Sequence, residues 1–256
     1  MDTSEISKAQ GHWILAKMGK KVLRPGGKEL TQKLIEALHI NPQDNIVEFA
    51  PGLGFTAGLA LAAHPKSYTG IDADRDAINR LQKRIKGCHI NFKLANAAQT
   101  GLESESKDKV IGEAMLTMHA DHRKAEIIKE SYRILKKGGI YAIHELGLRD
   151  VDESLKDHIQ RDLALTIKVN ARPLTEQEWC GLLKDEGFSI KEVFINEMHL
   201  LETKRIIDDE GLWGTLKIGF NILCNRAARL RVNDMRKTFQ KHQQHMNSIV
   251  IIAEKN

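Results

Sequence analysis

Residues 45–74, NIVEFAPGLGFTAGLALAAHPKSYTGIDAD, hold two apolar runs that each end in an acid, Glu48 and Asp72. A Pro/Gly loop and a segment of small residues lie between them. Strand, glycine loop, helix and strand describe one βαβ unit, whose loop sits where nucleotide-like ligands bind. Gly52-x-Gly54-x-x-Ala57 fits the dinucleotide pattern G-x-G-x-x-G/A, and Asp72 follows Gly54 by 72 − 54 = 18 residues, close to the spacing of a ribose-binding acid. An NAD-dependent oxidoreductase is therefore one reading. Glu48 and Pro51 count against a pyrophosphate. An unpaired acid repels it, and proline offers no N–H to it. A ligand with a sulfonium and an amino group would welcome the same carboxylate.

The alternation continues outward. NIVEFA, SYTGID, INFKLAN, DKVIGEAML, IYAIHEL, SIKEVFI and SIVIIAEKN read as seven strands. Helical stretches of about 10 to 15 residues separate most of them, as in a parallel sheet with right-handed crossovers. The helix DHRKAEIIKESYRILKKGG ends on a Gly-Gly stop, and LTEQEWCGLLKDEGF carries a threonine cap at Thr175 and a glycine stop at Gly187. Upstream, SEISKAQGHWILAKMGKKVL reads as a helix with a serine cap at Ser4 and Ile6, Trp13, Ile14 and Met18 on one side. RPGG at 24–27 breaks it, and Leu30, Leu34, Ile35 and Leu38 mark a second helix. Residues 199–246 form a charged, helical insert before the last strand. The expected fold is α/β: a Rossmann-like seven-stranded mixed sheet with helices on both faces, an N-terminal helical lid and that insert. Glu48, Asp72, Asn96, Glu113 and Glu145 fall at or near carboxyl ends of strands, where such sheets bind ligands.

The motifs VEFAPGLG, YTGIDAD, FKLANAA, EAMLTMH and RILKKGG, taken in order, resemble those of class I S-adenosylmethionine-dependent methyltransferases, in particular the small-molecule, type 11-like group. The resemblance spans roughly residues 22–195. It implies a single methyltransferase domain over 1–256, with a lid at 1–40, a cofactor core at 41–150 and substrate-side elements at 151–256. It implies S-adenosylmethionine as cofactor and S-adenosylhomocysteine as product. Glu48 would approach the methionine amino end, and Phe49, Ala50, Pro51, Gly52 and Gly54 would curve beneath the cofactor. Asp72 would accept from the ribose hydroxyls, Ala73 would pack on adenine, and Asn96 and Ala97 would meet its edge. Met115 and Leu116 would lie near the sulfonium, and Arg24 and Gly26 belong to the lid. Two departures stand out: Ala50 replaces the loop's usual first glycine, and Asn96 replaces a frequent aspartate.

His119 and His144 are the acid–base candidates, since imidazole exchanges protons near neutral pH. Glu145 is a candidate to orient or replace His144. No NPPY or DPPY follows the fourth strand, which argues against methylation of nucleic-acid base amines of that type. Arg226, Arg229, Arg231, Arg236, Lys237 and Lys241 against Asp234 form a basic stretch. It reads as a solvated helix face or as a track for anions or RNA phosphates, so an RNA methyltransferase is a second alternative. Only Phe239 offers stacking there, and nucleic acid is not the expected partner. A net charge of +5 and a pI of about 9.0 mildly favour anionic partners. Cys88, Cys180 and Cys224 have neither metal nor disulfide spacing, no apolar run is long enough to span a membrane, and no secretory signal is evident. A cytoplasmic enzyme without metal, acting on a small-molecule methyl acceptor, is the expectation.

Overall fold

A computed structural model describes residues 9–21, 24–149, 151–198, 201 and 203–256. The chain order is α1 (Gly11–Met18), α2 (Gly27–Ala37), β1 (Asn45–Phe49), α3 (Phe55–Ala62), β2 (Ser67–Asp72), α4 (Arg75–Arg84), β3 (Ile90–Leu94) and β4 (Lys107–Glu113). There follow α5 (Asp121–Ile134), β5 (Leu135–Leu148), α6 (Glu153–Ile167), β6 (Leu174–Thr175), α7 (Glu176–Asp185), β7 (Phe188–Glu197), α8 (Thr203–Cys224), α9 (Arg226–His242) and β8 (Met246–Lys255). The seven expected strands form one continuous sheet in the order β3-β2-β1-β4-β5-β8-β7, and the two-residue β6 pairs with β5 to the side. β8 runs antiparallel to both β5 and β7, which makes the sheet mixed. The switch in strand order falls between β1 and β4, beside the 50–54 loop.

Alternation along each strand builds two cores. Val47, Phe49, Val110, Tyr141, Ile143, Ile249 and Ile251 pack under α5 and α7. Ile46, Ile111, Ala142, Val250 and Ile252 pack under α2, α3 and α4. This is the period-two pattern of a sheet buried on both faces. A third cluster, Ile14, Leu15, Met18, Leu201, Ala228, Val232 and Met235, joins α1 to α9 above the strand ends.

Local chemistry sets the ends. Asp74 caps α4 through Asp76 N and Ala77 N, and Thr175 with Glu178 forms the capping box of α7, which closes before Gly187 at φ 98°. Two sequence expectations shift. The fourth strand stops at Glu113, because Ala114 takes φ 52° and Leu116–Met118 turns as a 3₁₀ helix. The KKGG segment lies inside β5 instead of ending the preceding helix: pairing jumps from Lys107↔Leu135 to Lys109↔Ile140, and the extra residues bulge around Gly138 at φ 75°. α8 is kinked at Gly211, where φ 73° and ψ 170° interrupt the helical turn. The expected cap at Ser4 and the residue Ile6 lie outside the described residues.

Candidate active site

Strand parity assembles a polar knot on the α2/α3 side of the sheet. Glu48 projects to the same face as Ile46, Glu113 to the same face as Ile111, and His144 to the same face as Ala142. Glu113 and His144 are direct register partners. His144 Nδ1 lies 2.7 Å from Glu113 Oε1, Thr31 Oγ1 donates to that oxygen at 2.8 Å, and Arg24 Nε lies 3.3 Å from Oε2. Thr56 Oγ1 also donates to Oε2. Burial alone would raise the Glu113 carboxyl, but the His144 hydrogen bond, with Arg24 and Thr56 beside it, holds it at about 2. Glu48 goes the other way. Burial pushes it up to about 7 against the Tyr68 hydroxyl bond, and its Oε1 is enclosed with no partner.

The loop after β1 opens a crevice of about 410 Å³ at the strand ends. Ala50 N donates to Ile71 O at 2.7 Å and Gly54 N to Pro51 O at 2.9 Å, while Gly52 N–H serves the Asp72 carboxylate. With Pro51 lacking an N–H, four of the loop's five residues, 50–54, have no amide left for a diphosphate. Ala50 and Ala114 both hold the left-handed region, at φ 51° and 52°, and both line the crevice. A non-glycine residue there costs about 1–2 kcal/mol, a strain that concentrates at functional sites. A side chain at Gly52 would meet only Ala50 O, at 3.8 Å, so the crevice side of that residue is clear. Gly54 is there for packing: a Cβ would come within 2.7 Å of Leu81. Asp72, half-buried, takes Asp74 N at 2.9 Å and is raised by burial. Because Asp74 is the helix cap, Asp72 is left facing the crevice.

The remaining walls are Ala73, Ala95, Asn96, Ala97, Met115 and Ile127, with Arg24, His12 and Trp13 from the N-terminal elements. Arg80 of α4 stacks on Trp13, 4.9 Å from the ring centroid, and ties α1 across the mouth. Beyond Ala114, Met118 and His12 lies a second, apolar chamber of about 90 Å³. Those three residues belong to both spaces; Leu146, Met198, Met235 and Phe239 complete the far side. Glu145 positions this junction. Its carboxylate accepts from Met115 N, Leu116 N, Thr117 N and Thr117 Oγ1 at 2.7–3.0 Å, fixing the 3₁₀ turn.

The predicted residues thus divide. Arg24, Ala50, Gly52, Asp72, Ala73, Asn96, Ala97, Met115 and His119 line the crevice. Glu48, Phe49, Pro51, Gly54, Leu116 and His144 lie behind its walls, and Gly26 packs against Ser248. His144 is wholly buried, whereas His119 is partly exposed at the crevice; burial, then Arg123 and Lys124, lower its pKa. One expectation is corrected: Glu145 does not orient His144, because neighbouring strand residues point to opposite faces, and Glu113 holds His144 instead. Thr31, Thr56, Tyr68 and His12 carried no local signal of a site, and Trp13 read only as part of a helix's apolar side. Tertiary packing alone recruits them. In the basic stretch, Arg231 donates to Ala9 O and Thr166 O, and Lys241 to Asp162. His158, Asp162 and His242 bring potential ligand atoms within 4.8 Å of one another, but the Lys241 ammonium lies among them, 2.7 Å from Asp162 and 3.0 Å from His158.

A family model described as "Methyltransferase domain" matches residues 46–139, the segment from β1 into β5. A relative from Haemophilus influenzae, an uncharacterized protein, is 35% identical over 252 residues, covering 96% of this chain and 98% of its own. The segment 46–139 of the chain is a methyltransferase domain. An O-methyltransferase of Pyrenophora dematioidea is 23% identical to this methyltransferase over 208 residues, 79% of this chain and 75% of that one. Among solved structures, phosphoethanolamine N-methyltransferase 2 of Haemonchus contortus, in complex with S-adenosyl-L-methionine, has a TM-score of 0.68 at 18% identity, covering 99% of this chain and 57% of that one. At that identity the likeness concerns the fold. Among the described residues, no helix of the methyltransferase is long and apolar enough to cross a membrane.

Proposed function

We propose that this chain binds S-adenosylmethionine in the crevice and transfers its methyl group to a small molecule whose apolar part enters the chamber. In this reading the chain works as one methyltransferase domain, with 1–40 as lid, 41–150 as cofactor core and 151–256 as the acceptor side. The observation that carries it is the loop at 50–54. Four of its five residues have no amide left to offer and the Asp72 carboxylate faces the same crevice, so the site is ill suited to a diphosphate and suits a nucleoside cofactor without one. The residues fit the cofactor. Asp72 would accept from the ribose, Ala73, Asn96 and Ala97 would hold the adenine, and the Glu113–Arg24 pair at the crevice wall would receive the charged amino-acid end, with Glu48 buried behind it. When bound, the cofactor supplies a methyl carbon on a positively charged sulfur, an activated leaving group.

The protein's own work is alignment and exclusion of water. Ala114 and Met118, shared by both spaces, define where the acceptor atom meets the methyl carbon. Holding the two in line can supply on the order of 7 to 11 kcal/mol in the best intramolecular cases. His119 would take the acceptor's proton, because its lowered pKa keeps the imidazole neutral at pH 7. His144 would position Glu113 and touch neither ligand. Calorimetry with S-adenosylmethionine, S-adenosylhomocysteine and NAD tests the assignment. Micromolar binding of the first two and none of NAD is the expected result; preference for NAD overturns it. Asp72→Ala should weaken S-adenosylhomocysteine binding about 10- to 100-fold, the usual loss for hydrogen bonds to a charged group.

A further inference from the structure

We propose that the outer face of α8 docks this protein on an anionic phospholipid surface, lying in the interface without crossing it. The kink at Gly211 makes residues 212–224 a helix of their own. Leu212, Trp213, Leu216, Phe220 and Leu223 are all exposed, Trp213 to 83%. At 3.6 residues per turn these five fall within an arc of roughly 100°. The opposite side is anchored: Ile218 is 3% exposed, and Asn221 Nδ2 donates to Met18 O at 2.9 Å. The helix is therefore held in place with its apolar stripe outward. Leu230 of α9 is exposed as well. A contiguous apolar patch of this kind marks an interaction surface.

Charge decides the occupant. From Gly211 to Asn233 the chain carries Lys217, Arg226, Arg229 and Arg231 and no aspartate or glutamate. Lys217, Arg226 and Arg229 are exposed. A second copy joined across a two-fold axis would set these cations against themselves. An anionic bilayer neutralises them while its acyl boundary receives Trp213, Leu216 and Phe220, the pattern of an interfacial amphipathic helix. No described helix is apolar enough to span, so the mode is adsorption. The proposal does not depend on the identity of the methyl acceptor.

Co-sedimentation with vesicles of phosphatidylglycerol and phosphatidylcholine, against phosphatidylcholine alone, tests it. Binding to the anionic vesicles should be at least roughly tenfold stronger and should weaken as salt is raised. The double variant Leu216→Asp, Phe220→Asp should lose it while keeping the parent's melting temperature and far-ultraviolet circular dichroism. Equal binding of both vesicle types, no binding at all, or unchanged binding by the variant overturns the proposal. So does sedimentation equilibrium that shows a dimer dissolved by the same two substitutions, since the occupant would then be a second copy.

Discussion

At the scale of single residues, two buried glutamates on one sheet face titrate in opposite directions. Glu48 has desolvation with one hydroxyl partner; Glu113 has an imidazole, a guanidinium and two threonines. Glu48 in the folded protein keeps its proton up to about 7, while the unfolded chain releases it near 4.5. The stability contributed by the neutral carboxyl is therefore present in full below pH 4.5 and is lost as pH rises through 7, by at most about 3 kcal/mol. Glu48→Gln keeps the shape without the proton. Between pH 5 and 8 (roughly the window in which only the folded carboxyl titrates), urea unfolding should show a shallower decline for the variant than for the parent. Parallel curves would remove Glu48 as the titrating group. Glu113 has the reverse sign: its contribution is present above 4.5 and lost as pH falls towards 2. For His119 the measurement is kinetic. His119→Ala should lower kcat by about 10²- to 10⁴-fold if it takes the acceptor's proton, and the acidic limb of the parent's pH–rate profile should lie below 6.5. An unchanged kcat assigns the proton to solvent.

At the scale of elements, α1 packs on α9 through Ile14, Leu15 and Met18, and its Trp13 reaches across the mouth of the crevice to lie under Arg80 of α4. Cation–π pairs at exposed sites contribute about 0.5–1 kcal/mol. Arg80→Ala should therefore weaken S-adenosylhomocysteine affinity by a factor of about 2 to 5 and leave the melting temperature nearly unchanged, and Arg80→Lys should restore part of it. A change in melting temperature without a change in affinity would make the pair structural. The elements themselves were legible because each strand is punctuated by glycine, proline or a cap. Thr175 and Gly187 bracket α7 as their chemistry predicts. The parts that were not legible have separate causes. The bulge in β5 follows from its register with β4, the left-handed Ala114 is held by its N–H donating to His144 O, and the break at Gly211 falls on a glycine that no local pattern sets apart. The site divides in the same way. The loop at 50–54 and Asp72 form a local pattern, whereas the Arg24–Glu113–His144 knot joins residues 31 and 89 positions apart.

At the scale of the whole molecule, α1, α8 and α9 pack together as one helical layer. Ile14, Leu15 and Met18 of α1 pack on Val232 and Met235 of α9, and Lys20 pairs with Asp209 of α8 at 3.1 Å in a buried bridge. Breaking such a bridge from one side strands the other charge, a loss of about 3–5 kcal/mol. Lys20→Met should therefore lower the melting temperature markedly, and Lys20→Met with Asp209→Leu should recover much of it. A double variant no better than the single one would show that the bridge is not the source.

The same small helix gives Gln10, His12 and Trp13 to one hollow and Gly11, His12 and Leu15 to the other. One awning thus roofs two rooms, and in the proposed function both guests would pass beneath it. Turnover should then keep time with the lifting of the awning and not with bond making. Thickening the solvent with sucrose should slow kcat in proportion to viscosity, and pinning the awning should stall both departures together.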